Sequence, residues 1–187
     1  VKQAIAKWPN VPHCYGWLAL DARGGWRMRD ERAQQMNLPG DKLNQPTLVG
    51  FINRNYASDE RGCWYFQNGP QRVYLNLEAT PYIARTDPQQ GLLLQTGEAL
   101  GDIERACMTE GGELIVAGGG KVAKVDDRDM AQMMLAMQVD GTPASDEMLI
   151  AWMEGAPGTL TLGQVSVERV RQAAVPGEFG FVQIPQP

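Results

Sequence analysis

Across residues 63–78, apolar and polar residues alternate on either side of Gln67-Asn68-Gly69-Pro70. A period of two that continues past a turn is the pattern of an antiparallel hairpin, and no other stretch constrains the chain as strongly. Pairing Phe66 with Gln71 puts Trp64, Phe66, Val73, Leu75 and Leu77 on one face. Tyr65, Gln67, Arg72, Tyr74, Asn76 and Glu78 then share the other. An Asn-Gly pair by itself specifies a two-residue turn. Pro70 cannot donate a closing N–H bond, so a four-residue loop in the same register is expected.

The hairpin closes a longer aromatic and polar run, residues 47–85. A helix is expected to begin near Asn44 or Thr47, with Pro46 in its first turn, where no N–H is needed. Leu48, Phe51 and Ile52 would form its buried stripe. Gly50 costs about 1 kcal/mol of helix propensity against Ala, which close packing of another element there would explain. Residues 58–62 read as a turn. Asn53, Arg54 and Asn55 end the helix, while Arg72, Tyr74 and Asn76 line one face of the hairpin. Arg offers a fixed fork of donors, and Asn and Tyr offer mixed donors and acceptors, a set suited to an anionic or amide-bearing partner. Arg54, Asn55, Tyr65, Arg72 and Tyr74 are the candidate ligand contacts. The plainer alternative is that the arginines are solvated or bridge Asp59, Glu60 or Glu78.

Elsewhere, Val1, Ala4, Ile5 and Trp8 mark one apolar helical face that Pro9 ends. Residues 15–28 read as a hairpin with a loop of three to five residues at Asp21-Ala22-Arg23-Gly24-Gly25. Residues 30–44 read as a polar loop with room for one helical turn. Asp87-Pro88-Gln89-Gln90-Gly91 is the expected boundary between an N-terminal α+β subdomain (1–88) and a C-terminal one (91–187). Strands are expected at 92–96, 103–109, 113–117 and 122–125. A helix over 127–138 would align Met130, Met133, Met134 and Met137, a stripe read as core in preference to a binding surface. Thr142 is expected to cap a further helix with Pro143 at its first position and Gly155 after its end. In the tail, Leu160 and Leu162 alternate as in a strand, Val167, Val170 and Ala174 have helical spacing, and Phe179 and Phe181 alternate again.

Several chemistries are disfavoured. Gly118-Gly119-Gly120-Lys121-Val122-Ala123 fits G-x-G-x-x-A, with Asp140 in the ribose-acid position, but the helix expected near Asp127 does not open on the glycines. A glycine-rich turn in an antiparallel sheet fits better, and Val122 rules out a P-loop. His13 is the only histidine, and Ser58, Ser145 and Ser166 lie outside any G-x-S-x-G. His13 and Cys14 would point to opposite faces of a strand. One His and three dispersed Cys have no zinc spacing, so neither metal nor cofactor is expected. Acid pairs such as Asp126/Asp127 sit where caps and turns want them. The net charge of −5 argues against nucleic-acid binding. No stretch is long and apolar enough to span a membrane, and residues 1–12 show no signal-peptide pattern, although Val1 leaves open a trimmed leader. Three widely spaced cysteines suit reduced thiols in a cytoplasm.

The blocks YGWLALDARGGW, FINRNYASDERGCWYFQNGPQRVYLNLEATPYIAR and LLLQTG resemble a small family of uncharacterised proteobacterial proteins of about this length. The order of D-A-R-G-G-W and R-G-C-W-Y-F is similar to a second uncharacterised family, of two α+β units. That resemblance implies pleckstrin-homology-like character in the second unit and a link to signalling. Neither family lends a catalytic residue. The sequence is therefore read as α+β, mainly antiparallel sheet built from hairpins with interspersed helices, in two packed subdomains. The expected function is a non-catalytic bacterial cytoplasmic binding or regulatory protein holding a small anionic ligand or peptide between its halves. The alternatives are a hydrolase or transferase using carboxylates or Cys63, and a homo-oligomer with Trp and Tyr contacts.

Overall fold

The computed structural model describes residues 8–187, and the helix expected over Val1, Ala4 and Ile5 lies outside them. The fold is mixed α+β with mainly antiparallel pairing. Packing divides the chain at Pro81, not at 87–91: the first unit runs to Pro81 and takes in Gly180–Pro187, and the second is Tyr82–Phe179.

In the first unit, β1 (His13–Leu20) and β2 (Trp26–Met28) form the expected hairpin. Asp21 holds its loop by accepting the N–H groups of Arg23 and Gly25. The polar loop that follows contains α1 (Glu31–Gln35), capped by the Asp30 carboxylate on the Ala33 N–H, and the short β3 (Asp41–Lys42). Helix α2 (Pro46–Arg54) has Pro46 in its first turn and buries Leu48 and Ile52. A Cβ on Gly50 would meet only the Arg54 guanidinium of the same helix, so no other element explains that glycine. The helix runs directly into β4 (Tyr56–Ser58), which pairs with β5 (Trp64–Asn68), and β5 pairs with β6 (Gln71–Leu77).

The β5–β6 register differs from the expected one: Phe66 faces Val73 and Asn68 faces Gln71, leaving a two-residue turn at Gly69-Pro70. Gly69 takes φ +56°, and the proline occupies the second turn position, where its ring-fixed negative φ suits a type II′ hairpin turn and excludes type I′. The N–H that closes such a turn belongs to Gln71, so Pro70 sacrifices nothing. A shift of two residues preserves side-chain parity. Phe66, Val73, Leu75 and Leu77 are accordingly buried on one face, where Phe66 meets the rings of Phe51 and Trp8 at 5.4 and 5.8 Å. The sheet order is β3-β2-β1-β6-β5-β4, with β1 and β6 parallel. The C-terminal residues return to this unit through a bridge between Cys63 and Val182 and the Leu77 N–H donated to Gln183 O.

In the second unit, the segment expected as a linker is instead the loop of a hairpin between β7 (Tyr82–Asp87) and β8 (Gly91–Leu94). The Asp87 carboxylate accepts the N–H groups of Gln89 and Gln90 there. Strands β9 (Arg105–Thr109), β10 (Leu114–Gly118) and β11 (Lys121–Val125) form an antiparallel meander. Gly118 pairs with Lys121 and the two glycines between them close a hairpin turn, so the glycine run opens no helix. The helix expected over 127–138 is a 3-10 turn (Asp127–Asp129) followed by a short α3 (Met130–Met134). Met137 belongs to β12 (Met137–Val139), which pairs with β13 (Thr142–Pro143). Thr142 is therefore a strand residue, and Ser145 caps α4 (Asp146–Met153) by accepting the Met148 N–H at 3.2 Å. After β14 (Leu160–Leu162), Val167 and Val170, expected to be helical, lie in β15 (Val165–Val170), parallel to β9, whereas Ala174 ends a 3-10 turn (Gln172–Ala174). Phe179 ends α5 (Val175–Phe179) instead of entering a strand. No described helix is long and apolar enough to cross a membrane.

Candidate functional site

The polar face of the first unit's sheet carries a cluster of aromatic and charged side chains. Strand pairing places Tyr15 beside Tyr74, Tyr74 beside Tyr65, and His13 beside Arg72. The Tyr15 and Tyr74 rings stack at 4.9 Å, within 4° of parallel. Tyr65 meets Tyr74 edge-on at 5.5 Å, and His13 does so at 5.9 Å. Tyr74, 3% exposed, is the centre of this group.

A buried hydroxyl must find a partner. Tyr74 Oη donates to Asp59 Oδ2 at 2.9 Å and accepts from Arg72 Nη1 at 3.3 Å. Asp59, whose side chain is 3% exposed, also accepts the N–H groups of Arg61 and Cys63 on Oδ1, and pairs with the Arg61 guanidinium at 3.2 Å. Burial pushes the Asp59 carboxyl up, but the Cys63 N–H, the Tyr74 hydroxyl and Arg61 outweigh it and hold it below the usual range. Burial raises the Tyr74 phenol, which keeps its hydroxyl a donor to that carboxylate. The Tyr15 and Tyr74 hydroxyls beside Arg61 hold its guanidinium protonated.

Arg72 is placed differently. Its guanidinium lies over the Tyr65 ring at 4.4 Å from the centroid, and it forms no ion pair with any described carboxylate. Tyr65, Arg72 and Tyr74 are thus brought together. Arg54 and Asn55 are not part of this group: they end α2, whose Phe51 packs on Phe66 of the opposite face. Asn55 Nδ2 donates to Phe51 O at 2.9 Å, and Arg54 is exposed. The sequence reading places Asp59 and Arg61 in a turn and offers Asp59 only as a bridge for Arg54 or Arg72, and the structure pairs it with Arg61 and Tyr74 instead. The available signal is a tyrosine in the middle of a sheet face, whose hydroxyl needs a partner once the face is covered.

Cys63 is buried on the other side of the turn. Burial pushes its thiol up and the Asp59 charge adds to that, while Cys14 is pushed up to about 11 by burial alone. All three cysteines are unpaired and buried. No group of three or more His, Cys, Asp or Glu side chains is arranged to hold a metal among the described residues.

A family model described as "Protein of unknown function (DUF2946)" matches residues 1–186. The chain belongs to that family. No curated protein matches it. Among solved structures, the family member resembles a DUF1285 family protein from Silicibacter pomeroyi DSS-3, with 12% identity over 91% of this chain and 88% of that one, at a TM-score of 0.53. A duf1285 family protein from Shewanella baltica OS155 matches with 10% identity over 62% of this chain and 88% of that one, at a TM-score of 0.44. At 12% identity the first likeness concerns the fold alone.

Proposed function

We infer that this is a non-catalytic bacterial cytoplasmic binding or regulatory protein that takes an anionic group of a small ligand or peptide on Arg72. One observation carries the reading: of the two arginines on this face, Arg61 is neutralised by Asp59, whereas Arg72 is stacked on Tyr65 without a carboxylate partner. Arg72 gives Nη1 to the Tyr74 hydroxyl and has no described carboxylate on the rest of its fork, whose geometry suits carboxylate or phosphate. Tyr65, Tyr15 and the exposed His13 add aromatic and hydrogen-bonding surface around it. The three free thiols fit a reducing compartment. Cys63 is a poor nucleophile in this setting, because the thiolate is disfavoured by both burial and Asp59.

A thermal-shift screen with nucleotides, sugar phosphates, acyl-CoA species and acidic or phosphorylated peptides tests the reading. A ligand present at about a hundred times its Kd stabilises the native state by about 2.7 kcal/mol, roughly 5–10 °C for a chain of this size. Arg72→Ala is expected to abolish the shift, and the loss of its contacts with Tyr65 and Tyr74 lowers the unliganded melting point by roughly 2–4 °C. A panel with no stabilising anion, or a hit bound equally by Arg72→Ala, overturns it.

A further inference from the structure

The second unit contains a half-open apolar trough of about 650 Å³. Its walls are α3 and α4, and its floor includes Met108 of β9 and Met137 of β12. Met130, Met134 and Met153 line it, and Asp146 is its only charged lining residue. Leu135 and Ile150, 79% and 55% exposed, stand on the two walls. Large apolar side chains exposed together mark an interaction site more often than they occur by chance. Methionine side chains, unbranched and polarisable, repack around varied apolar shapes.

We propose that this trough receives a basic amphipathic helix of a partner protein. Two helices flanking an apolar floor form the shape into which a helix lays its apolar face. No set of converging polar groups is present to orient a small molecule, as small-ligand pockets provide. Charge selects the partner. The second unit carries fifteen Asp and Glu against seven Lys and Arg. Asp146, Glu147 and Glu154 bracket α4, are exposed and form no ion pair among the described residues. The first two sit in the opening turn, where the helix dipole accounts for acids. Glu154 stands at the C-terminal end, where the dipole disfavours an acid, and a cation on the partner would offset that cost.

The test titrates the full chain with a fluorescently labelled Leu/Lys amphipathic helical peptide, its Leu/Glu counterpart, and a scrambled Leu/Lys peptide. The Leu/Lys helix is expected to bind at micromolar concentration and weaken with salt, with the Leu/Glu and scrambled peptides weaker by about tenfold or more. Methyl NMR signals of Met130, Met134 and Met153 should move on binding. Leu135→Glu and Ile150→Glu alter exposed positions, so each is expected to keep a wild-type circular dichroism spectrum and to weaken the Leu/Lys peptide by about tenfold. Equal binding of acidic and basic peptides, or undiminished binding by both variants, overturns the proposal. So does concentration-dependent dimerisation abolished by Leu135→Glu, which would make a second copy the occupant. A retained apolar small molecule that excludes the peptide in native mass spectrometry would overturn it too.

Discussion

Replacing Tyr74 by Phe removes one oxygen and leaves the stack on Tyr15 and the edge contact with Tyr65 in place. That oxygen donates to an ionised carboxylate at 2.9 Å, and both side chains are about 3% exposed. Hydrogen bonds to charged groups contribute about 1.5–3 kcal/mol, and water cannot take the place of the lost donor at a site this closed. Asp59 keeps two N–H donors and Arg61, so the lower part of that range, about 1.5–2 kcal/mol, is expected. The loss also has a pH signature. The folded-state carboxyl of Asp59 is depressed, so its contribution is fully present above the unfolded value near 3.9 and is lost as pH falls through the folded value. The gap between wild type and Tyr74→Phe should therefore be widest above about pH 5 and narrow toward about pH 2. Urea unfolding followed by tryptophan fluorescence reads this unit, since Trp8, Trp17, Trp26 and Trp64 lie in it and only Trp152 lies in the other. A gap below about 0.5 kcal/mol at neutral pH, or one unchanged in acid, would refute the Tyr74–Asp59 bond as the centre of the cluster.

Three further outcomes are expected. A Cβ on Gly62, at φ +81°, would lie 2.4 Å from the Gly180 carbonyl oxygen, whereas one on Gly69, at φ +56°, meets nothing within 4 Å. In the same urea assay Gly62→Ala should cost more than about 2 kcal/mol and Gly69→Ala about 1 kcal/mol, and equal losses would contradict the close approach of the C-terminal residues to the turn. Iodoacetamide at pH 8 should label none of the three thiols in the native chain and all three after denaturation, because burial raises each of them; native labelling of Cys63 would reopen the nucleophile reading. Ser145→Ala should cost about 1 kcal/mol and Thr142→Ala markedly less, with circular dichroism melting curves deciding which of the two caps α4.

What the sequence disclosed follows from which physical signal has short range. Side-chain parity along β5 and β6 is local, so the division of Phe66 and Val73 from Arg72 and Tyr74 was readable before any partner strand was known. It survived an incorrect loop length, because moving from a four-residue loop to the Gly69-Pro70 turn shifts the pairing by two residues and no side chain changes face. Register and partners are not local. The parallel pairs β1–β6, β7–β11 and β9–β15 join segments far apart in sequence, and no hairpin signal announces them. The strand β15 reads as a helix in sequence, since Val167 and Val170 are three residues apart, a spacing that fits one helical face but falls on opposite faces of a strand.

The same distinction explains the two candidate surfaces. Met130, Met133, Met134 and Met137 fit one helical face, and that reading made them core. The Asp140-Gly141 turn needs strands on both sides of it, and it draws Met137 into β12 and ends α3 after Met134. With the helix cut short, Met130 and Met134 turn to the trough, while Met133 and Met137 stay buried. In the first unit, Arg54 and Asn55 were grouped with Arg72 because they share its chemistry, yet a helix leading into an edge strand delivers its last residues to the face on which the helix packs. In sequence Asp59 has a sufficient local role, accepting backbone N–H groups in its turn and bridging an arginine. Its second role appears only when Tyr74, fixed by parity on the same side, supplies a buried hydroxyl that needs an acceptor. The candidate site is thus a strand pattern legible in sequence, completed by a turn carboxylate whose function depends on the strand beside it.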